Sequence, residues 1–141
     1  MSCPTILPEI HELMPPMVAL RQHLHTHPEL SYEEFETSRL VAEKLRGWGY
    51  GLAGTGVVAT LRKGRGSRTI GLRADMDALP IVETSGLPYA SRHDGKMHAC
   101  GHGGHTAMLL AAGQCLAENV DFDGTVRLIF QPAEEGHVGA R

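Results

Sequence analysis

The chain has 141 residues, of which 42% are hydrophobic and 21% are charged, and its net charge is −3. This composition predicts a globular chain of one-domain size and excludes a disordered one. The acidic balance offers no basic surface for nucleic acid, and no apolar run approaches the roughly 18 residues of a membrane span.

The cysteines and the first residues bear on the compartment. Three cysteines, Cys3, Cys100 and Cys115, cannot complete a set of disulfides. Glu9, Glu12 and four prolines interrupt the apolar residues at the start, so the core of a signal peptide is not predicted there. We therefore expect reduced thiols and a cytoplasmic location.

Two helices are predicted in the first third of the chain. Apolar residues recur at spacings of three and four over residues 5–26, and Pro15-Pro16 should kink or restart this helix. Ser31-Tyr-Glu-Glu34 has the form of a capping box, so a second helix should follow to about Arg46. Its buried side chains are predicted to be Phe35, Val41 and Leu45.

Three strands are predicted in the remainder. Residues 56–61 and 68–75 form two of them, and the basic, glycine-containing loop between them predicts a hairpin. Residues 125–130 form the third, which should be buried on both faces.

A third helix, from Thr106 to Glu118, separates the last two strands. Helices and strands in this order predict an α/β layered domain. The side chains that this helix should bury are Met108, Leu109, Ala112, Cys115 and Leu116.

The stretch His98-Ala-Cys100-Gly-His102-Gly-Gly-His105 places one thiol and three imidazoles within eight residues. A buried cysteine is commonly a small hydrophobe, and a single histidine is often a structural hydrogen bonder. Here the side chains lie outside any apolar stripe, and the glycines let the backbone bend around an ion. A divalent metal site is therefore favoured, although His105 could instead cap the following helix or line the pocket.

Carboxylates flank this stretch at a distance. Asp75 and Asp77 share one face of the second strand near its carboxyl end, where active sites of open α/β sheets collect. They could cap the strand, or accept a hydrogen bond from a ligating imidazole. Glu134 and Glu135 follow the third strand; they could be solvated, or one could bind metal while the other accepts a proton from the attacking water.

Three motifs in this order resemble the M20 metallopeptidase family. They occupy residues 73–80, 97–102 and 130–136, and residues 21–34 and 54–59 are similar as well. The match is closest to the amidohydrolase branch, which contains hippurate hydrolases, N-acyl-amino-acid deacylases and auxin-conjugate hydrolases. The resemblance covers nearly the whole chain.

The resemblance implies the N-terminal part of a zinc-dependent exopeptidase-like catalytic domain, with a layered mixed β-sheet and flanking helices. It implies two divalent ions (zinc, manganese, cobalt or nickel) and hydrolysis of small-molecule N-acyl amino acids. Glu134 matches the general base, and Asp77 the aspartate that supports the metals. Asp75 stands where other M20 branches place a ligating histidine. The implied metal ligands are Cys100, His102 and Glu135.

The chain departs from the family pattern at three places. Gly103 replaces a usual aspartate, which predicts looser metal binding. Residues 48–54 are fewer than usual, so a strand should be short or absent. The sequence stops at Arg141, before the later histidine ligands and the inserted lid domain. We therefore expect residues 1–141 to be a partial catalytic domain that is poorly active alone. Its strand at residues 126–130 should form an open edge of the sheet. A homodimer is expected only where the lid domain is present.

The alternative is a non-catalytic or inactive fragment that binds one metal, which Gly103 and the missing ligands favour. A zinc-finger-like binding module is not supported, because the paired C-x₂-C and H-x₃₋₅-H spacing is missing and the chain is acidic.

Overall fold

The computed structural model describes residues 8–53 and 56–135. Within these ranges the chain forms three helices and four strands, and none of these helices is both long enough and apolar enough to cross a membrane. The helices are α1 (Pro8–Thr26), α2 (Phe35–Gly47) and α3 (His102–Glu118), and the strands are β1 (Gly51–Ala53), β2 (Val57–Lys63), β3 (Thr69–Asp75) and β4 (Gly124–Gln131).

Helix α1 is one continuous helix through Pro15-Pro16, so the predicted restart does not occur. Each proline removes one backbone donor, and with it the bond to the carbonyl four residues earlier. Those carbonyls belong to His11 and Glu12, which are exposed, so that water can satisfy them.

The N-terminus of α2 is not closed by the predicted capping box, since Glu34 stands at the cap position without a side-chain bond to the helix. The carboxylate of Glu29 accepts hydrogen bonds from the N–H groups of Glu36 and Thr37 instead, at 3.0 and 2.8 Å. A carboxylate here also faces the positive end of the helix dipole.

The four strands form one sheet in the order β1-β2-β4-β3, in which β2 is antiparallel to β1 and β4, and β3 is parallel to β4. The sheet is therefore mixed, and β1 is a short strand of three residues, both as expected. The predicted hairpin of β2 and β3 is wrong, because β4 lies between them. The connecting loop folds onto Asp123, whose carboxylate accepts the N–H groups of Arg65 and Gly66.

Strand β4 is central, so the expectation that it forms an open edge is wrong. It buries Val126, Leu128 and Phe130 on the side of α3, whereas Arg127 and Ile129 on the other face are exposed. Burial on both faces was predicted and is wrong, because the described helices leave the face of Arg127 uncovered.

The core lies between the sheet and the helices, and Leu45, Leu110 and Leu128 are fully buried there. Helix α3 approaches the sheet closely at Gly113, where a Cβ atom would lie 2.7 Å from Leu128 Cδ1. The Tyr50 hydroxyl donates to the Gly113 carbonyl at 2.9 Å, and burial raises the pKa of Tyr50 to about 12.

Two side chains that were predicted to be buried are exposed: Phe35 by 74% and Met108 by 64%. Thr37, Val41 and Leu45 define the buried stripe of α2, and Phe35, two residues before Thr37, lies about 200° around the helix. Helix α3 is apolar around most of its circumference, so its periodicity does not select a buried face.

The chain passes from β3 through α3 to β4, forming a parallel β-α-β unit. Asp75 pairs in register with Gln131, so both strands end at the same edge of the sheet. Helix α3 begins at His102, earlier than the predicted Thr106, and its N-terminus returns to that edge. This polar edge collects residues 75–77, 100–105 and 133–135.

Candidate metal centre

Asp77 is the most buried carboxylate of the polar edge, at 1% exposure. Its carboxylate accepts hydrogen bonds from the Ser31 hydroxyl at 2.7 Å and from the Glu135 N–H at 2.9 Å. Burial alone would raise the pKa of Asp77, but these donors outweigh it and the pKa is lowered. Asp77 is therefore an anion that ties the turn after α1, the end of β3 and the segment after β4 together.

His102 is oriented by the same residue. Its Nδ1 lies 3.0 Å from the Asp77 backbone oxygen and 3.1 Å from Asp77 Oδ1. A carbonyl oxygen can only accept, so Nδ1 carries a proton, and in the neutral ring the lone pair is on Nε2. The predicted role of Asp77, holding a ligating imidazole in one tautomer and orientation, matches this geometry.

The Nε2 atom of His102 faces three carboxylates. It lies 3.6 Å from Glu135 Oε1, 3.7 Å from Glu134 Oε2 and 3.8 Å from Asp75 Oδ1. A lone pair that faces three anionic oxygens is unfavourable unless a proton or a metal cation lies between them. This arrangement concentrates negative potential at one point of the polar edge.

Cys100, His102 and Glu135 each offer one donor atom, and the three atoms lie within 4.8 Å of one another. Gly101 separates the cysteine from the histidine with φ 104°, a left-handed conformation that glycine adopts without strain. The thiol donates a hydrogen bond to Glu135, and this bond, with burial and the nearby carboxylates, raises the pKa of Cys100. The structure thus brings together all three predicted ligands.

Glu134 and Glu135 leave β4 through a strained turn. Ala133 is buried and has φ 51°, which is unusual for a residue with a side chain. Its N–H donates a hydrogen bond of 2.7 Å to the carboxylate of Glu34. Glu34 is buried, and this burial raises the pKa of its carboxylate. Glu34 therefore fixes the turn that presents the two glutamates.

A second group of possible metal-binding atoms overlaps the first. Asp75, His102 and His105 also place one donor atom each within 4.8 Å. His105 Nδ1 lies 2.7 Å from Asp75 Oδ1, and Arg73 donates to the other oxygen of Asp75 at 3.1 Å. His102 has a single nitrogen available, so that nitrogen serves only one of the two groups at a time.

His98 lies outside both groups. It is buried, both ring nitrogens lack a hydrogen-bond partner among the described residues, and burial lowers its pKa to about 4. Its ring adjoins Gly103, where an added Cβ atom would lie 3.5 Å from His98 Cγ. The glycine therefore leaves the buried imidazole without a neighbouring acceptor.

The sequence patterns missed Ser31 and Glu34 as partners of this edge. Both lie in the N-terminal stretch that resembles the M20 family, but helix-start signals accounted for them locally. Their actual partners, Asp77 and Ala133, are 46 and 99 residues away.

The donor set fits a divalent cation. Zinc binds His nitrogen and carboxylate oxygen at about 2.0–2.2 Å, which places two tetrahedral ligands roughly 3.4 Å apart. The separations of 3.6–3.8 Å around His102 Nε2 need only a small contraction to reach this value. Cys100 adds a thiol at the open side of the group, where it is exposed.

The model of "Peptidase family M20/M25/M40" matches residues 71–141, half of the chain. The chain belongs to this family. The resemblance of the three motifs is thus confirmed, and the mixed α/β architecture agrees with it.

Relatives extend the match to the N-terminal half. Hippurate hydrolase of Campylobacter jejuni is 48% identical over 140 residues, which cover 96% of this chain and 36% of that protein. N-acetyl-L-cysteine deacetylase of Bacillus subtilis is 50% identical over 129 residues, 88% of this chain and 31% of that protein. The chain therefore spans about a third of the length of these relatives.

A solved structure shows the same architecture. The Bacillus subtilis YXEP protein, described as a dinuclear metal binding peptidase from the M20 family, superposes with a TM-score of 0.83 and 40% identity. The superposition covers 89% of this chain and 37% of that one.

Proposed function

We propose that this chain is the metal-binding part of an amidohydrolase that cleaves N-acyl amino acids into a carboxylic acid and an amino acid. The convergence of Cys100, His102 and Glu135, with Glu134 beside them, carries this proposal. The names of the relatives, a hippurate hydrolase and an N-acetyl-L-cysteine deacetylase, support it.

Divalent cations are the proposed cofactors, and Cys100, His102 and Glu135 would hold one of them. Zinc accepts this donor set, imidazole also suits nickel, and carboxylate suits manganese. Two ions are proposed because the structurally similar Bacillus subtilis protein is described as dinuclear. A bound divalent cation polarises the amide carbonyl and makes water more acidic.

Glu134 is the proposed general base. Its Oε2 lies 3.7 Å from His102 Nε2, and its side chain is 40% exposed, so it borders the cation position and remains open to water. A carboxylate there can take a proton from the attacking water and return it to the nitrogen of the departing amino acid. Asp77 keeps the His102 proton on Nδ1 throughout.

The test is metal binding and turnover measured on the same proteins. We expect the chain loaded with zinc, manganese, cobalt or nickel to cleave N-benzoylglycine slowly, because it spans about a third of the length of its relatives. Glu134→Gln should keep its metal affinity while losing roughly 100-fold or more of kcat. His102→Ala should lose the metal. Glu118→Gln, an exposed change at the far end of α3, is the matched control.

Metal binding by the wild-type chain without any turnover would contradict the hydrolase proposal and favour the non-catalytic metal-binding fragment. Equal activity of Glu134→Gln and wild type would remove the general-base assignment alone. Gly103 favours the alternative of a fragment that binds metal weakly, so a low metal affinity of the wild-type chain would support that alternative.

We further propose a small-molecule substrate, no nucleic-acid partner and a cytoplasmic location. Cys100 and Cys115 are both free thiols, as a reducing compartment favours. Fractionation of cells that produce the protein, with detection of the chain outside the cytoplasm, would contradict the location.

A further inference from the structure

Two histidines at the C-terminal end of α1 form a pair outside both groups of donor atoms at the polar edge. His23 lies in the last turn of α1 and His27 follows the helix, and the His27 N–H still donates to the His23 carbonyl at 3.1 Å. Residues four apart in a helical turn project from the same face. The centres of the two imidazole rings are accordingly 4.6 Å apart, with the ring planes inclined at 38°.

Both imidazoles of this histidine pair offer a nitrogen lone pair. His27 Nδ1 lies 3.0 Å from the His23 carbonyl oxygen. Since a carbonyl oxygen only accepts, Nδ1 carries a proton, and in the neutral ring the lone pair is on Nε2. Partial burial and the charge of a protonated His27 lower the pKa of His23 below its ordinary 6.5, so that this ring is mainly neutral at pH 7.

The separation of the rings matches that of two ligands of one ion. With metal–nitrogen bonds of about 2.0–2.1 Å, the centres of two ligating imidazoles lie roughly 4.5 Å apart at a right angle and roughly 5.2 Å apart at the tetrahedral angle. The observed 4.6 Å is close to the right-angle value. Adjacent ligands meet at a right angle on square-planar and octahedral ions, which favours copper(II) and nickel(II) over zinc.

A third imidazole, that of His93, lies beside the pair but outside this geometry. Its ring centre is 6.0 Å from that of His27. This distance exceeds the roughly 5.2 Å of two imidazoles on a tetrahedral ion. The donor set is therefore two imidazoles, with water at the remaining positions.

The surroundings of the pair suit a cation. The C-terminal end of a helix carries the negative end of its dipole. His23 and His27 both line a cavity of about 50 Å³, and a bound water needs roughly 10–15 Å³ of such space. Arg39 lines the same cavity, but its charge is compensated by ion pairs with Glu36 and Glu43.

We propose that His23 and His27 form a surface site for one divalent transition-metal ion, nickel(II) or copper(II), separate from the candidate metal centre. The second imidazole binds intramolecularly, so the pair holds the ion roughly 100-fold or more tightly than one histidine does. The ion joins the end of α1 to the turn that carries Glu29 and Ser31, whose side chains cap α2 and bond Asp77. Its role is to stabilise this turn.

The test is a calorimetric titration of the full chain with nickel chloride. His102→Ala serves as the background, because it removes the nitrogen that both groups at the polar edge share. We expect this variant to bind one nickel ion at the pair, and His23→Ala in the same background to bind it roughly 100-fold or more weakly. His11→Ala, which removes a single exposed histidine of the same helix, is the matched control and should bind nickel unchanged.

The wild-type chain provides the same comparison if His102→Ala does not fold. There His23→Ala should remove one equivalent of bound nickel and leave the equivalents of the metal centre in place. Nickel should also raise the melting temperature of the background variant, as a ligand of the folded state does, and should not raise that of His23→Ala in this background.

Electron paramagnetic resonance of the copper complex counts the ligating nitrogens. In the His102→Ala background, copper(II) should couple to two imidazole nitrogens, and His23→Ala should leave at most one. Equal losses of nickel binding in His11→Ala and His23→Ala would show scattered binding to surface histidines and overturn the site. An equal loss in His93→Ala would overturn the assignment of two ligands. None of these measurements uses turnover, so their outcome is independent of the hydrolase proposal.

Discussion

The apolar core and the polar edge of the sheet are held together in different ways. In the core, Leu45, Leu110 and Leu128 fill space against one another, and each contact is one of many similar contacts. At the polar edge, Asp77 and Glu34 each accept hydrogen bonds from specified donors in distant segments. The core is therefore stabilised by many small and similar contacts, whereas the structure of the polar edge depends on a few individual carboxylates.

The first prediction concerns the edge and has the largest expected effect. Asp77→Ala leaves the Ser31 hydroxyl, the Glu135 N–H and the His102 imidazole without their acceptor. We expect a loss of about 3–5 kcal/mol of unfolding free energy, as for breaking a buried charged pair, and a loss of metal affinity. Urea unfolding and metal titration measure the two. If Asp77→Ala is as stable as wild type and binds metal normally, the polar edge does not depend on this single carboxylate and the comparison with the core is wrong.

The second prediction tests the core side of the comparison. Leu110→Ala opens a cavity under α3 and should lower the unfolding free energy by about 3 kcal/mol. Metal affinity, measured where the variant is still folded, should remain within about twofold of wild type because no group of the centre changes. A metal affinity that falls in step with the stability would contradict the separation of the two regions.

The third prediction concerns Tyr50, the polar group within the core. Its pKa is about 12 in the fold against 10.0 ordinarily, so between pH 10 and 12 the unfolded chain releases this proton and the folded chain keeps it. Stability should thus be complete below pH 10 and fall above it, by up to about 3 kcal/mol.

Tyr50→Phe is the matched control for this pH dependence. It loses the bond to the Gly113 carbonyl, about 1 kcal/mol at neutral pH, but lacks the titrating group. Urea unfolding from pH 8 to 11.5 should show the wild type losing its advantage, so that the two stability curves meet between about pH 10 and 11 and cross above that pH. Parallel curves would show that Tyr50 does not cause the alkaline loss.

The smallest expected effect is a gain at the edge. Gly103→Ala removes a helical glycine where a Cβ atom fits at 3.5 Å, which should add about 0.5–1 kcal/mol. Gly103→Asp should add about 1 kcal/mol more, since a carboxylate there is within reach of the unpaired His98 ring and faces the N-terminus of α3. It should also tighten metal binding by roughly 10-fold or more.

Thermal unfolding and metal titration of both Gly103 variants check this prediction. If the aspartate variant equals the alanine variant in both measurements, the glycine is not the cause of a weaker centre.

The features that could be predicted from the sequence are those that depend on local signals, and the features that could not be predicted depend on contacts distant in sequence. Periodicity and turn residues located β2, β3, β4 and α2 closely, because those signals are local. The order of the strands was wrong, since pairing of β4 between β2 and β3 depends on contacts far apart in sequence. Burial of Phe35 and Met108 was wrong where one helical face had to be chosen from weak evidence.

The candidate site was predictable where chemistry clusters in sequence, as at Cys100-Gly-His102 and Glu134-Glu135. Asp77 was predicted from its strand face and from the family resemblance. Ser31 and Glu34 were assigned to a helix start because a hydroxyl and a carboxylate at that spacing commonly cap one. Nothing local shows that Glu34 instead bonds Ala133, 99 residues away.

The central position of β4 has a consequence for synthesis on the ribosome. Among the described strands, β2 has only the three-residue β1 as a partner and β3 has none until residues 124–131 emerge. A two-stranded ribbon is marginal in water, so the nascent chain before that point holds helices without a sheet to dock on. Ordering of the described sheet therefore waits for β4, and a stalled chain ending near residue 120 should be a good chaperone client.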